Sequence, residues 1–398
     1  MFVSERIEKI GVSPTMKVAA KAKEMKAEGL PIIDLSVGEP DFPTPQNIKD
    51  AAKRAIDDNQ TGYTINSGTV QLRKAISEKF KKENNLEYGI DQIIVSSGAK
   101  QSLYNVIQTI INKDDEVIIP APYWVSYPEM VSVAEGKSVV INTTEENRFL
   151  VTPEQLKAAI TPKTKAFILC NPSNPTGNAY TKAELEAIAE IALENNFYII
   201  SDEIYEKMIY DDFKFVSFPS LNSELLKKTI LVNGISKAYS MTGWRIGYTA
   251  GPKNVIDGMN KLQSHSTSNA CSISQAAAIE ALLGSQDEVE RMRVEFEKRR
   301  NYLHKELSSI PEFSCVLPEG AFYLFPNVEK VFHHSTEILK VESSFDFAMF
   351  LLYEAKIAVV PGSAFGAEGF LRLSYATSME NLVEAVERIK TAVAKLRT

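Results

Sequence analysis

Cysteine, histidine and tryptophan are scarce in this chain of 398 residues, with three, four and two copies respectively. Cys170, Cys271 and Cys315 are odd in number and far apart, which excludes the short spacings of a zinc site and the paired framework of a small secreted domain. A reducing, cytoplasmic setting is therefore expected. His265, His304, His333 and His334 show no metal-ligand spacing, so no metal is expected. No apolar stretch reaches the length of a membrane span, and the opening MFVSERIEKIGVSP carries two acidic groups without the apolar centre of a signal peptide. A basic surplus is also missing. Lys and Arg number 44 against 51 Asp and Glu, a formal charge of -7, and no block of like charge marks a nucleic-acid partner. Repeats, low-complexity tracts and flexible linkers are absent too, which leaves a globular protein with a small-molecule ligand as the expectation.

What is present is enough for more than one core: a hydrophobic share of 44% in a chain longer than one ordinary core accommodates. Short β-branched runs recur at 93–97 (IIVSS), 116–120 (EVIIP), 165–170 (KAFILC), 197–201 (FYIIS), 229–234 (TILVNG) and 245–251 (RIGYTAG). Helix starts lie between or after them where a hydroxyl precedes Glu or Gln by three residues: Thr152 with Gln155, Thr181 with Glu184, Ser285 with Glu288. This alternation predicts an α/β fold with a largely parallel sheet covered by helices on both faces. The large domain is expected at 46–285. From Ser285 the pattern changes to a long charged helix with Val289, Met292, Phe296 and Leu303 on one side, then short strand-like pieces such as AFYLFP and IAVVP. Residues 286–398, with 1–45 packing back through a helix opening at Ser13-Pro14, are expected to form a smaller α+β domain.

Three strand ends carry candidate chemistry. GISKAYSMTGWRIGY (234–248) places Lys237 in a loop of small residues, with Arg245 eight residues on. A lysine there reads either as a solvated surface group or as a reactive amine kept neutral by its surroundings. NPSNPTG (171–177) and SDEIYE (201–206) each follow a buried strand, at the sheet edge where open α/β folds bind ligands. One helical turn between Asp202 and Tyr205 would let a carboxylate and a phenol face one ligand, although Asp202 also fits a helix cap. In IIVSSGAKQ, Ser97, Gly98 and Ala99 would present backbone donors at a helix N-terminus, a ready phosphate site, unless Gly98 marks only a tight turn.

In order and spacing, LSVGEPDFPTP (35–45), YTINSG (63–68), PYWVSYPEM (122–130), NPSNPTG, SDEIYE, SKAYSMTGWRIGY and LRLSYA (371–376) resemble the class I aminotransferases of the aspartate aminotransferase fold. These are the fold type I pyridoxal-phosphate enzymes, and the resemblance covers essentially the whole chain. It implies pyridoxal 5'-phosphate as cofactor, with Lys237 holding it as a Schiff base and then carrying the proton at the substrate α-carbon. Asp202 is implied to pair with the ring nitrogen. Tyr205 and Asn174 would donate to the phenolic oxygen, and Trp124 would stack on the ring. The phosphate would take Ser97, Gly98, Ala99 and Arg245, with Tyr63 reaching in from the second subunit of a homodimer whose active sites lie at the interface. Arg372 would grip the substrate α-carboxylate, supported by Gly38 and Asn174.

The resemblance also bears on substrate, an amino acid exchanged with a 2-oxo acid. No arginine in QSHSTSNACSIS (263–274) matches the one that animal-type aspartate enzymes use for the distal carboxylate. The bacterial type Ib subgroup uses a lysine after the phosphate turn, which is the place of Lys100, and this implies transfer between L-aspartate and 2-oxoglutarate. Lys17 stands where that subgroup usually has a threonine. Aromatic or prephenate transamination on the same fold is the alternative, and a non-catalytic regulatory protein a remote one.

Overall fold

The computed structural model describes residues 3–11, 14–335 and 340–396. Its strands are β1 (Ile33–Asp34), β2 (Ile93–Ser96), β3 (Glu116–Ala121), β4 (Lys137–Asn142), β5 (Thr164–Cys170), β6 (Tyr198–Asp202), β7 (Thr229–Gly234), β8 (Gly247–Ala250), β9 (Tyr323–Leu324), β10 (Ile357–Ala358), β11 (Val360–Pro361) and β12 (Leu371–Ser374). Seven of them form one sheet in the order β2-β8-β7-β6-β5-β3-β4. Pairing is parallel from β7 to β4, and β8 runs antiparallel to both of its neighbours. All six expected runs are strands. The RIGYTAG run is the reversed one, so the chain leaving β7 turns back at once, and the Lys237 loop lies at the edge of the sheet where β7 ends. β4 was not among the expected runs because it is an edge strand with only Ile141 buried, which leaves no continuous apolar signature.

Strand alternation sorts the core into two layers. Along β5, Ala166 and Ile168 pack with Leu103, Ile107, Val255 and Met259 under the Ala99–Ile110 and Lys253–Ser264 helices. Phe167 and Leu169 face the other way, toward Leu185, Ile188 and Ile191 of the Lys182–Glu194 helix. The expected caps at Thr152 and Thr181 form: Gln155 N donates to Thr152 Oγ1 at 3.3 Å, and Thr181 N donates to Glu184 Oε2 at 2.7 Å. The Ser285 box does not form. The helix starts at Asp287 with Gln286 as its cap residue, and Ser285 Oγ accepts only from Asp287 N at 3.2 Å. Gln286 is locked in place instead, donating to the Ala281 and Gly284 carbonyls and accepting from Tyr239 and Lys207.

That helix, Asp287–Leu307, buries Val289, Met292, Phe296 and Leu303, as its spacing predicts. Beyond it lie a three-stranded antiparallel sheet, β11-β12-β9, and the parallel pair β1-β10. The Pro14–Ala27 helix packs against β10 and β11, so the N-terminal segment does return to the C-terminal part; Ser13, the expected cap, lies outside the described residues. No helix among the described residues is long and apolar enough to cross a membrane.

Candidate active site

A cavity of about 520 Å³ opens at the carboxyl ends of the parallel strands, within the usual size for a small-molecule site. Its wall carries Gly38, Ala99, Lys100, Trp124, Asn174, Asp202, Tyr205, Lys237, Arg245 and Arg372, ten of the thirteen residues singled out by sequence. Ser97 and Gly98 do not line it but meet Arg245, which does. Tyr63 does not reach it and is 96% exposed.

Asp202 is the last residue of β6, and 204–207 form a turn rather than the helix turn the sequence suggested. Asp202 and Tyr205 nevertheless both face the cavity. Asp202 is buried, and burial pushes its carboxyl up to about 6, against a pull downward from the Tyr127 hydroxyl, the Ile204 amide and the Lys237 charge. Tyr127 donates to Asp202 Oδ2 at 2.6 Å and meets Trp124 edge to face at 5.3 Å. It was not singled out, although it stands in the quoted PYWVSYPEM segment; a tyrosine three residues after Trp124 reads as an ordinary core aromatic.

Lys237, in the loop after β7, donates from Nζ to the Gly38 carbonyl at 2.5 Å. Burial pulls its ammonium down to about 8, helped by Arg372 and Arg245 and opposed by Glu39 and Asp202. A large neutral fraction near pH 8 follows, which a solvated lysine does not have.

Arg372, from β12, donates to Asn174 Oδ1 at 3.0 Å and to the Ser36 carbonyl at 2.7 Å, with its guanidinium 4.5 Å from the Tyr323 ring centroid. Of the two supports that the resemblance implied, Asn174 bonds Arg372 directly, whereas the Gly38 carbonyl is turned to Lys237 and the second bond goes to Ser36. Arg372 Nε is buried with no acceptor among the described residues.

Two glycines shape the remaining wall. Gly98 has φ +89° as the residue before the Ala99–Ile110 helix, a region closed to most side chains, and Arg245 occupies the space a Cβ would need. Gly247, opposite both Ser96 and Gly234, lets the strand pass against the Ala99 amide, where any Cβ would collide. The amides of Ala99 and Lys100 open the helix and so have no intrahelical acceptor. Arg245 lies beside them, bonded to the Thr242 carbonyl at 2.8 Å and the Ser97 carbonyl at 3.2 Å. Lys100 Nζ stands 4.8 Å from the Trp124 ring centroid and is exposed. Lys17 is exposed too. The cavity thus sets a buried carboxylate, a low-pKa amine and two guanidinium groups around a space that also admits an anion at a helix N-terminus.

Known proteins match this chain throughout. The family described as "Aminotransferase class I and II" matches residues 31–389. The chain is 50% identical to "Aspartate aminotransferase" of Bacillus subtilis (strain 168), over 99% of its own length and 100% of that protein. It is also 50% identical to "Probable aspartate/prephenate aminotransferase" of Rickettsia felis (strain ATCC VR-1525 / URRWXCal2), covering 99% of this chain and 97% of that one. Among solved structures, the aspartate aminotransferase from Rhizobium meliloti superposes with a TM-score of 0.97 at 45% identity, over 100% of both chains. The chain belongs to the class I and II aminotransferases, a family of pyridoxal-phosphate enzymes.

Proposed function

We propose that the chain is an aspartate aminotransferase, moving an amino group from L-aspartate to 2-oxoglutarate by a ping-pong sequence that releases oxaloacetate and L-glutamate. The observation that carries this reading is the placement of Lys237, Asp202 and Arg372 on one cavity wall, with Lys100 at the same cavity. The names of the Bacillus and Rhizobium relatives agree with it. The residues fit the cofactor on the structure's own terms: the Ala99 and Lys100 amides at the helix start suit a phosphate, with Gly247 sparing the Ala99 amide the Cβ that would collide with it; Arg245 adds a cation beside them, and buried Asp202 suits a cationic ring nitrogen. When bound, pyridoxal phosphate supplies a ring that accepts the electron pair left at the substrate α-carbon.

In this reading Lys237 holds the cofactor covalently and, once displaced by substrate, moves the proton at the α-carbon. Asp202, kept in place by Tyr127, holds the positive charge on the ring nitrogen. Arg372, with Asn174 and Ser36 fixing its fork, orients the α-carboxylate, and its spare Nε–H adds a donor. Tyr205 and Asn174 serve the phenolic oxygen, and the Trp124 ring covers the cofactor. The 96% exposure of Tyr63, with Ile65 beside it 56% exposed, favours a homodimer in which each Tyr63 completes the other copy's site. The division at residues 46 and 285 belongs to the same reading. It is supported by the seven-stranded sheet lying wholly within 93–250 and the smaller sheets wholly outside 46–285.

Transamination of an aromatic or prephenate-like substrate is the second reading, favoured by the name of the Rickettsia relative and by the single, exposed, one-pronged cation at Lys100. Lys100→Ala separates the two. A contact between its ammonium and a distal carboxylate contributes about tenfold in kcat/KM, the lower end for a charged pair because Lys100 is exposed. The loss is expected with aspartate and glutamate and not with phenylalanine, in steady-state assays at saturating cofactor. Equal losses on every substrate would reduce Lys100 to a support of the cofactor site.

A further inference from the structure

We propose that Tyr323 is a positioning residue of this site, orienting the Tyr205 hydroxyl toward the cofactor while its ring carries the Arg372 guanidinium. The proposal rests on the roles given above to Tyr205 and Arg372.

Tyr323 lies in β9, fully buried yet lining the cavity. β9 pairs with β12 so that Tyr323 stands opposite Ser374, which puts Arg372, two residues along the same face, in diagonal reach. The guanidinium sits 4.5 Å from the ring centroid. A cation over a ring face is attracted by its quadrupole, and the contact strengthens where water is excluded.

At the other end of the ring, the Tyr323 hydroxyl is 2.9 Å from the Tyr205 hydroxyl, with both residues buried. Each phenol has one proton, so only one of the two donates in this bond. If Tyr205 donated to Tyr323, no proton would remain for the phenolic oxygen of a bound cofactor. Tyr205 can serve that oxygen only when Tyr323 is the donor. Burial raises both phenols, Tyr205 further than Tyr323, on whose ring the Arg372 cation sits; the more acidic Tyr323 is the favoured donor. The bonds then form a chain in which each polarises the next. Phe322, edge-on to Tyr205 at 5.5 Å, and the tilted Phe322–Tyr323 pair hold both rings in this arrangement. Tyr323 therefore joins the grip on the substrate carboxylate to the control of the cofactor's protonation.

The test is a pH titration of the visible absorbance of substrate-free holoenzyme, for wild type, Tyr205→Phe and Tyr323→Phe. A bond donated to the phenolic oxygen favours its anionic form, so losing it raises the midpoint. Tyr205→Phe is expected to raise it most. Tyr323→Phe, which keeps the ring and removes only the donor, is expected to raise it by a smaller step of about half a unit to one unit. Tyr323→Leu should in addition weaken inhibition by a substrate-like dicarboxylate several-fold, which Tyr323→Phe should not. A shift in Tyr205→Phe with none in Tyr323→Phe would overturn the orienting role and leave the reading of Tyr205 intact. No shift in either variant would overturn that reading and the proposal with it. A lower melting temperature with an unmoved midpoint would mark Tyr323 as structural only.

Discussion

Lys237→Ala is expected to lose the visible band of the lysine-linked cofactor and to slow transamination by at least the roughly 10²–10⁴-fold that a positioned proton carrier contributes. Cofactor should still bind through the phosphate contacts, because Arg245 and the Ala99 and Lys100 amides are untouched. In the wild type, reduction with borohydride followed by peptide mapping should label Lys237, and a label on any other lysine would contradict the assignment. The pH dependence has a definite sign. Below about 8 the Lys237 amine of the cofactor-free protein is protonated and inert; above it the amine is neutral. Capture of added pyridoxal phosphate should therefore accelerate as pH rises through about 8 and level off well below the range of a solvated lysine.

Asp202→Ala should cut α-proton abstraction roughly 10²–10³-fold while leaving substrate affinity nearly unchanged. The reason is differential: the carboxylate matters most when charge flows toward the ring nitrogen, so its loss falls on the transition state. Stopped-flow half-reactions with α-deuterated and ordinary aspartate read this step directly. Unchanged proton transfer in the variant would refute the role. Tyr127→Phe offers a graded version, because it leaves Asp202 in place and removes only the 2.6 Å bond to it.

Much of this architecture is legible in the sequence because strands buried on both faces read as continuous apolar runs. The edge strand β4, half exposed, gives no such signal. Periodicity fixes the buried face of Asp287–Leu307 but not its first residue: Gln286, held by Tyr239 and the preceding helix end, outcompetes the Ser285 cap. At the site, motif spacing finds residues that stand at strand ends and does not find their partners. Tyr127 and Tyr323 are aromatic residues in apolar surroundings, and only the three-dimensional contacts distinguish them from core. Ser36 meets Arg372 through its backbone carbonyl, which no side-chain pattern encodes. Tyr63 is a different case: only the resemblance implied its place in the site, and in the single chain it stands exposed, off the cavity wall.

Most of the residues that the sequence singled out line the cavity, and the departures concern their neighbours. Lys17 is exposed in the folded chain, and Lys100 stands beside the Trp124 ring at the cavity. In the proposed reading, discrimination between acidic and aromatic substrates rests on that one ammonium, a weak filter compared with a two-pronged arginine.

The most direct test of the central claim is a half-reaction without acceptor: cofactor-loaded protein mixed with L-aspartate, with the visible band and released oxaloacetate followed together. The account predicts conversion of the band to that of the amine form with about one oxaloacetate per site, reversal on adding 2-oxoglutarate, and much slower conversion with phenylalanine. A band that aspartate leaves unchanged while phenylalanine converts it would contradict the account.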